Sequence, residues 1–312
     1  MNRFFATFPA GTYDIIVRDL KGYRMDELVI VENDDSSVVF DSRLSVEKII
    51  EIRYFTNAYL VIERPEDVEA EYIKDKYYSV AMLKDGTPAK IEPRERAQIE
   101  NQIEDSLGLE NNTHRSRNNF VVIERASGAR FLTLRLARAR FKREKLAAGE
   151  LRPELSHVLC LAARIKAKHR VLDMFAGHGA IPLEAVRGFG CKDVVAVDQR
   201  FIETRHEHTE ISWLTADACS LSSIEDGSID RVVTDPPWGM YEAEIADLDA
   251  LYTGFSREAA RVLKPDGFLV VLTGYDDAAR CIDATEKLKP VSQWPILVSG
   301  MKAQILKFQK TR

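Results

Sequence analysis

Asp235-Pro236-Pro237-Trp238 puts a carboxylate, two residues without N–H donors and a flat aromatic side by side, directly behind the apolar run RVVT. Proline removes a donor and fixes φ, so this segment is expected to form a rigid, acceptor-lined corner at the carboxyl end of a strand. The chemistry such a corner suits is substitution at an exocyclic amine of a nucleobase. That nitrogen is a poor nucleophile because its lone pair is delocalised into the ring. Hydrogen bonds from its protons to the Asp235 carboxylate and the Pro236 carbonyl would draw it towards tetrahedral geometry and free the lone pair. Trp238 would give the base a stacking face, worth about 1–3 kcal/mol. Positioning then carries most of the rate, and no strong general base is required because the alkylated ammonium is acidic.

The electrophile is suggested by a second motif, VLDMFAGHGAIPLEA, Val171 to Ala185. A strand is expected to end at Asp173, a loop to carry Phe175, Ala176, Gly177 and Gly179, and a helix to begin at Ala180. Ligands of doubly wound sheets bind at the carboxyl ends of the strands near the topological switch point. Glycines there let the backbone approach a ligand closely. A dinucleotide site would use GxGxxG. AGHGAIP lacks the third glycine, and Asp173 would repel a pyrophosphate but attract an ammonium group such as the one on S-adenosylmethionine. Asp198, followed by Gln199, ends the run DVVAVDQ, where a carboxylate can accept both ribose hydroxyls. Asp217, followed by Ala218, ends SWLTADA, where it can accept from an adenine amino group. Either aspartate alone could be a turn cap; in register at successive strand ends they describe a nucleoside site.

These residues need a scaffold of alternating strands and helices. From Pro153 the chain reads as an amphipathic helix, PELSHVLCLAARIKA, followed by short apolar strands separated by helices. Such strands imply a parallel sheet covered on both faces. The end, PILVSG then KAQILKFQK, reads as an antiparallel pair joined at Gly300-Met301. The expected fold class is therefore α/β, a Rossmann-like domain closed by an antiparallel hairpin, starting after the aperiodic stretch at 146–152. Before it, strands FFATFP, DELVIVE, DSSVVFD and AYLVIER alternate with helices over 12–21 and after Ser45, an α+β pattern of ferredoxin-like character. A helix is also expected over PEDVEAEYIKD, another over 91–109, and a hairpin turning at Ser127-Gly128.

Bulk properties narrow the class. An apolar share of 45% and a charged share of 30% suit a globular protein with a real core. The longest apolar runs fall short of a membrane span, and the opening MNRFFATFPAGTYD is too short for a signal peptide. The scattered Cys160, Cys191, Cys219 and Cys281 contain no CxxC pair, so reduced thiols in the cytosol are expected, and no metal site. The net charge of −5 hides an uneven distribution. Residues 115–145 are rich in Arg and Lys, a footprint suited to nucleic acid.

These motifs resemble the class I amino-methyltransferases, with their (Asn/Asp)-Pro-Pro-aromatic segment, and more narrowly the THUMP-domain methyltransferases that make N2-methylguanosine in tRNA. The continuation Ile181-Pro182-Leu183-Glu184-Ala185 is the diagnostic part, and FFATFPAGTYDII is similar to the family's opening. The resemblance implies a ferredoxin-like domain over 1–79, a THUMP-like RNA-binding region over 80–145 and a methyltransferase domain over 151–312. It implies S-adenosylmethionine at Asp173, Gly177, Gly179, Asp198 and Asp217, catalysis at Asp235 to Trp238, and tRNA gripped by the basic segment. Arg135, Arg138, Arg140, Lys142 and Arg143 are the expected phosphate contacts. Trp238 stands where the tRNA enzymes more often carry Tyr, Phe or His, and DPPW also occurs in adenine-N6 methyltransferases acting on RNA or DNA, which is the alternative reading.

Overall fold

A computed structural model describes residues 1–22, 27–136, 146, 149–200, 209–239 and 247–311. Arg138, Arg140, Lys142 and Arg143 lie outside them. The chain divides into two compact units. The first comprises 1–8 and 20–140, the second 9–19 and 141–312.

In the first unit the strands β1 (Asn2–Thr7), β2 (Leu28–Asn33), β3 (Ser37–Ser42) and β4 (Asn57–Ile62) pair antiparallel in the order β2-β3-β1-β4. Helix α1 (Tyr13–Leu20) lies between β1 and β2 in the chain, and α2 (Val46–Ile50) between β3 and β4. This is the ferredoxin-like arrangement. β1 reads as a continuous apolar run because both its faces are covered. Phe4 stacks on Phe40 at 5.6 Å, while Phe5 points the other way into a cluster with Val39, Tyr59 and Val121.

The sheet does not stop at the expected boundary near residue 79. That position falls inside β5 (Tyr77–Lys84), which leads to β6 (Thr87–Ala89), α3 (Pro93–Leu107), β7 (Glu110–Asn111), β8 (Asn118–Glu124) and β9 (Arg130–Arg135). β4 pairs with β9, so one nine-stranded sheet runs through the described residues of this unit. The α3 boundaries follow from its caps: the Glu92 side chain accepts from Glu95 N at 3.1 Å, Pro93 opens the helix, and Gly108 closes it at φ +63°. The helix expected over 65–75 is replaced by two short 3₁₀ turns, Pro65–Asp67 and Ala70–Tyr72. Asp67 bonds back to the Arg64 backbone N at 3.2 Å, a local bond that competes with the helical ladder.

Helix α4 (Pro153–Ala162) opens the main body of the second unit. It is followed by β10 (Arg170–Asp173), α5 (Ala180–Phe189), β11 (Asp193–Asp198), β12 (Ile211–Thr215), β13 (Ile229–Thr234), α6 (Leu248–Val262), β14 (Leu263–Thr273), α7 (Ala278–Asp283), β15 (Leu288–Val298) and β16 (Met301–Lys310). The sheet order is β12-β11-β10-β13-β14-β16-β15. Strands β10 to β14 are mutually parallel, and β16 inserts antiparallel between β14 and β15. The hairpin turns at Ser299 and Gly300, both at positive φ, one residue before the expected joint. Strand order reverses about β10, which creates the switch point where a crevice opens.

Candidate functional site

The parallel register brings the carboxyl ends of four strands level: Asp173 stands beside Ala196, Asp198 beside Thr215, and Thr234 beside Val271. Asp173 is 1% exposed. Its Oδ1 accepts from the Thr234 hydroxyl at 2.7 Å and from Phe175 N at 3.1 Å. Burial pushes this carboxyl up to about 7, against those two bonds, with the charges of Asp235 and Asp198 adding to the rise. Asp173 therefore feels the charges of Asp235 and Asp198 at the neighbouring strand ends.

The glycine loop is tied to the second strand. Ala176 N donates to Val197 O at 2.8 Å, and Gly177 N to Asp198 Oδ2 at 2.8 Å. Asp198 Oδ1 accepts from Arg200 N at 2.8 Å, just beyond the exposed Gln199. Gly179 caps α5 at φ +92°, and a Cβ there would lie 2.5 Å from Trp213 Cη2. Both backbone and packing therefore demand glycine. Gly179→Ala is expected to destabilise the unit by about 1–3 kcal/mol, read as a lower urea midpoint. An unchanged midpoint would show that Trp213 yields freely. Asp217 caps its own turn, its Oδ1 accepting from Cys219 N at 2.9 Å; Ala218 is buried, and Cys219 packs against Gly254 of α6.

The Asp235 segment departs from expectation in one respect. Trp238 donates its indole N–H to Asp235 Oδ1 at 2.9 Å, and its ring lies over Gly274, where a Cβ would meet Cε3 at 2.5 Å. The tryptophan thus orients the carboxylate and is held against backbone on one side. Asp235 is only partly exposed, and burial pushes its carboxyl up to about 7 although the Trp238 bond opposes the rise. The Pro237 carbonyl accepts from the Tyr252 hydroxyl at 3.1 Å, and that hydroxyl is within 2.6 Å of Thr273 Oγ1. The Pro236 carbonyl is not the one Tyr252 engages.

Thr234, Trp213, Tyr252, Thr273 and Gly274 were not recognisable as site residues from sequence. Of these, Thr234 carried a signal: it directly precedes Asp235 at a strand end. Its hydroxyl accepts from Met174 N and Phe175 N as well as donating to Asp173, so it couples the two motifs.

Two arginines of the basic segment are paired with acids from elsewhere in the chain. Arg125 is 6% exposed and paired with Glu32 at 3.1 Å and Asp34 at 2.6 Å. Arg130 pairs with Glu95 at 2.5 Å. Arg135 bonds Asn57, and its guanidinium lies 6.0 Å from the Tyr59 ring centroid. Residue counting did not reveal these partners, which lie far away in the chain; the phosphate contacts expected at Arg138, Arg140, Lys142 and Arg143 fall outside the described residues.

Sheet order, terminal hairpin and the cleft at the switch point define the second unit as a Rossmann-like methyltransferase fold. Residues 192–293 match the family UPF0020, an RMKL-like methyltransferase domain. The chain is 33% identical over 151 residues to a tRNA (guanine(6)-N2)-methyltransferase of Thermus thermophilus, covering 46% of this chain and 44% of that protein. It is 30% identical over 139 residues to a tRNA (guanine(10)-N2)-dimethyltransferase of Methanothermobacter thermautotrophicus, covering 41% of this chain and 40% of the relative. The match thus spans less than half the length of either curated relative. Among solved structures, TrmN from Thermus thermophilus superposes with a TM-score of 0.80 at 22% identity, over 99% of this chain and 100% of that one. At that identity the likeness establishes the fold.

Proposed function

We propose that this protein methylates the exocyclic N2 of a guanosine in tRNA, using S-adenosylmethionine. The single observation that supports the reading most is the Asp235 carboxylate, fixed by Trp238 beside the cleft that Asp173, Gly177 and Asp198 line. The relatives' tRNA guanine-N2 activities favour guanine over adenine and tRNA over other substrates.

The residues fit the proposed cofactor. Asp173 and Asp198 are acceptors suited to an ammonium group and to ribose hydroxyls, and Asp217 stands at the next strand end. Gly177 leaves open space over the loop. S-adenosylmethionine, when bound, supplies a methyl group on a positively charged sulfur. Asp235 accepts an amine proton of the base and orients the nitrogen lone pair. Trp238 holds Oδ1, which directs the rest of the carboxylate at the substrate. Tyr252 and Thr273 keep the proline corner rigid, so little reorganisation is needed during reaction. In the N-terminal unit, the region over 80–145 is proposed to hold the tRNA. The setting that accords with this role is the cytosol.

Labelled methyl transfer to unmodified tRNA, followed by nucleoside digestion, tests the proposal. N2-methylguanosine supports it; N6-methyladenosine alone would establish the alternative base. Trp238→Phe keeps the ring on Gly274 but deletes the donor. Its kcat is expected to fall by about 10-fold, with the acid limb of its pH profile moved upward, because the Trp238 bond lowers the Asp235 pKa. A profile identical to wild type would remove Trp238 from the orienting role.

A further inference from the structure

The run Arg164-Ile165-Lys166-Ala167-Lys168-His169-Arg170, between α4 and β10, has no part in the chemistry above. It lies at the amino-terminal end of β10, while the cleft lies at the carboxyl end. Three cations converge here on one buried ring. Lys307 Nζ is 3.9 Å from the Phe268 centroid, Arg231 4.9 Å and Arg164 5.8 Å. Arg18 is near enough to repel Lys307 as well.

Among the described residues Asp230 is the acid whose charge reaches the group, favouring the charged form of Arg231 without pairing with it. Among the described residues no carboxylate is in ion-pair range of Arg164, Arg231 or Lys307. The nearby Asp230 is already engaged by Lys264 Nζ at 2.9 Å and Arg170 N at 2.8 Å. Lys307 is 3% exposed and donates to Ala162 O at 2.7 Å. Burial and the neighbouring guanidinium groups lower its ammonium to about 8. Arg231 Nε is buried with no hydrogen-bond partner, a donor of the kind that is rarely left unsatisfied. Arg164 is exposed and held at φ +54° at the end of α4, so the cluster is open to solvent on that side.

We propose that Arg164, Arg231 and Lys307, around Phe268, form a binding site for a phosphate group, separate from the methyl-transfer cleft. Arg231 Nη1 donates to Asp230 O at 2.6 Å, so a phosphate oxyanion supplies the acceptor that Nε lacks, relieves repulsion among the three cations, and reaches the site past Arg164. Guanidinium groups favour this ligand by their fork geometry. The same chemistry is offered by an RNA backbone phosphate and by free inorganic phosphate.

The test uses the intact chain, as wild type, as Arg164→Glu/Arg231→Gln, and as the exposed single variant Arg164→Glu. In one arm, Tm is followed as inorganic phosphate replaces chloride at matched ionic strength. In the other, tRNA affinity is measured against salt. S-adenosylmethionine affinity, which neither variant should alter, is the control that separates failure of this site from failure of the methyltransferase reading. If the source is RNA, the double variant binds tRNA about 3- to 10-fold more weakly near ~0.15 M salt, with a salt slope lower by about 1–2. If the source is free phosphate, wild-type Tm rises with phosphate and the response is lost in the variants. Responses identical to wild type in both arms overturn the proposal. Should the double variant fail to fold, the same comparison on Arg164→Glu decides, since that side chain stands in solvent.

Discussion

Asp235→Asn lowers kcat by about 10²–10³-fold, while affinity for S-adenosylmethionine stays within a few-fold of wild type. The substitution keeps an oxygen for the Trp238 indole, so the corner is preserved. What changes is the other end of the side chain, which becomes an NH2 donor facing an amine that also donates. Asparagine therefore repels the group the carboxylate is proposed to orient. Wild-type kcat/KM should also rise with pH through about 7, because the carboxyl must be ionised to accept and is held protonated below that value. Asp173 titrates in the same range, so the limb belongs to the pair. Steady-state kinetics with calorimetry of cofactor binding reads both halves. Full turnover in the variant would sink the proposed role of Asp235.

Asp173→Asn separates binding from stability, and the two move in opposite directions. Loss of a charged acceptor weakens cofactor binding by about 10- to 100-fold. The ligand-free protein gains stability. The buried carboxyl loses its proton near 7 in the folded state, whereas in the unfolded chain it does so near ~3.9. Between those values the folded state holds the extra proton, so wild-type stability declines as pH rises from about 4 to about 7 and stays low above. Asparagine has no proton to lose, so its advantage grows across that window, to the order of 1–3 kcal/mol. Urea unfolding at pH 5 and pH 8 measures it. A constant difference between the two proteins would mean that Asp173 is not burdened by burial.

The second unit was more legible in sequence than the first. Short apolar strands between helices, with Asp173, Asp198, Asp217 and Asp235 at their ends, define a parallel sheet locally, and each motif needs only its own strand and loop. The ferredoxin-like order was readable too. The continuation of that sheet through β4 and β9 was not, since strand partners separated by seventy residues or more leave no local periodicity. The same blindness affected charge. Arg125 reads as one cation among many, yet its partner Asp34 is 91 positions away. Trp238 was read as a stacking face because an aromatic beside a base site usually serves as one; its N–H bond to Asp235 depends on a turn geometry that residue types do not encode. PEDVEAEYIKD has good helix composition, but side chains such as Asp67 close local turns first.

The segment Pro9–Asp19 belongs to the second unit although the strands on either side of it belong to the first. Gly11 shows what this requires: any Cβ there would run into the Pro295 carbonyl in β15. During synthesis this stretch leaves the ribosome long before its seat on β15, which is translated almost three hundred residues later. Neither unit is therefore a continuous gene fragment. Cutting near residue 141 would give a C-terminal half missing a piece of its own surface, and a workable split protein would have to carry the early stretch in trans or graft it onto the new terminus.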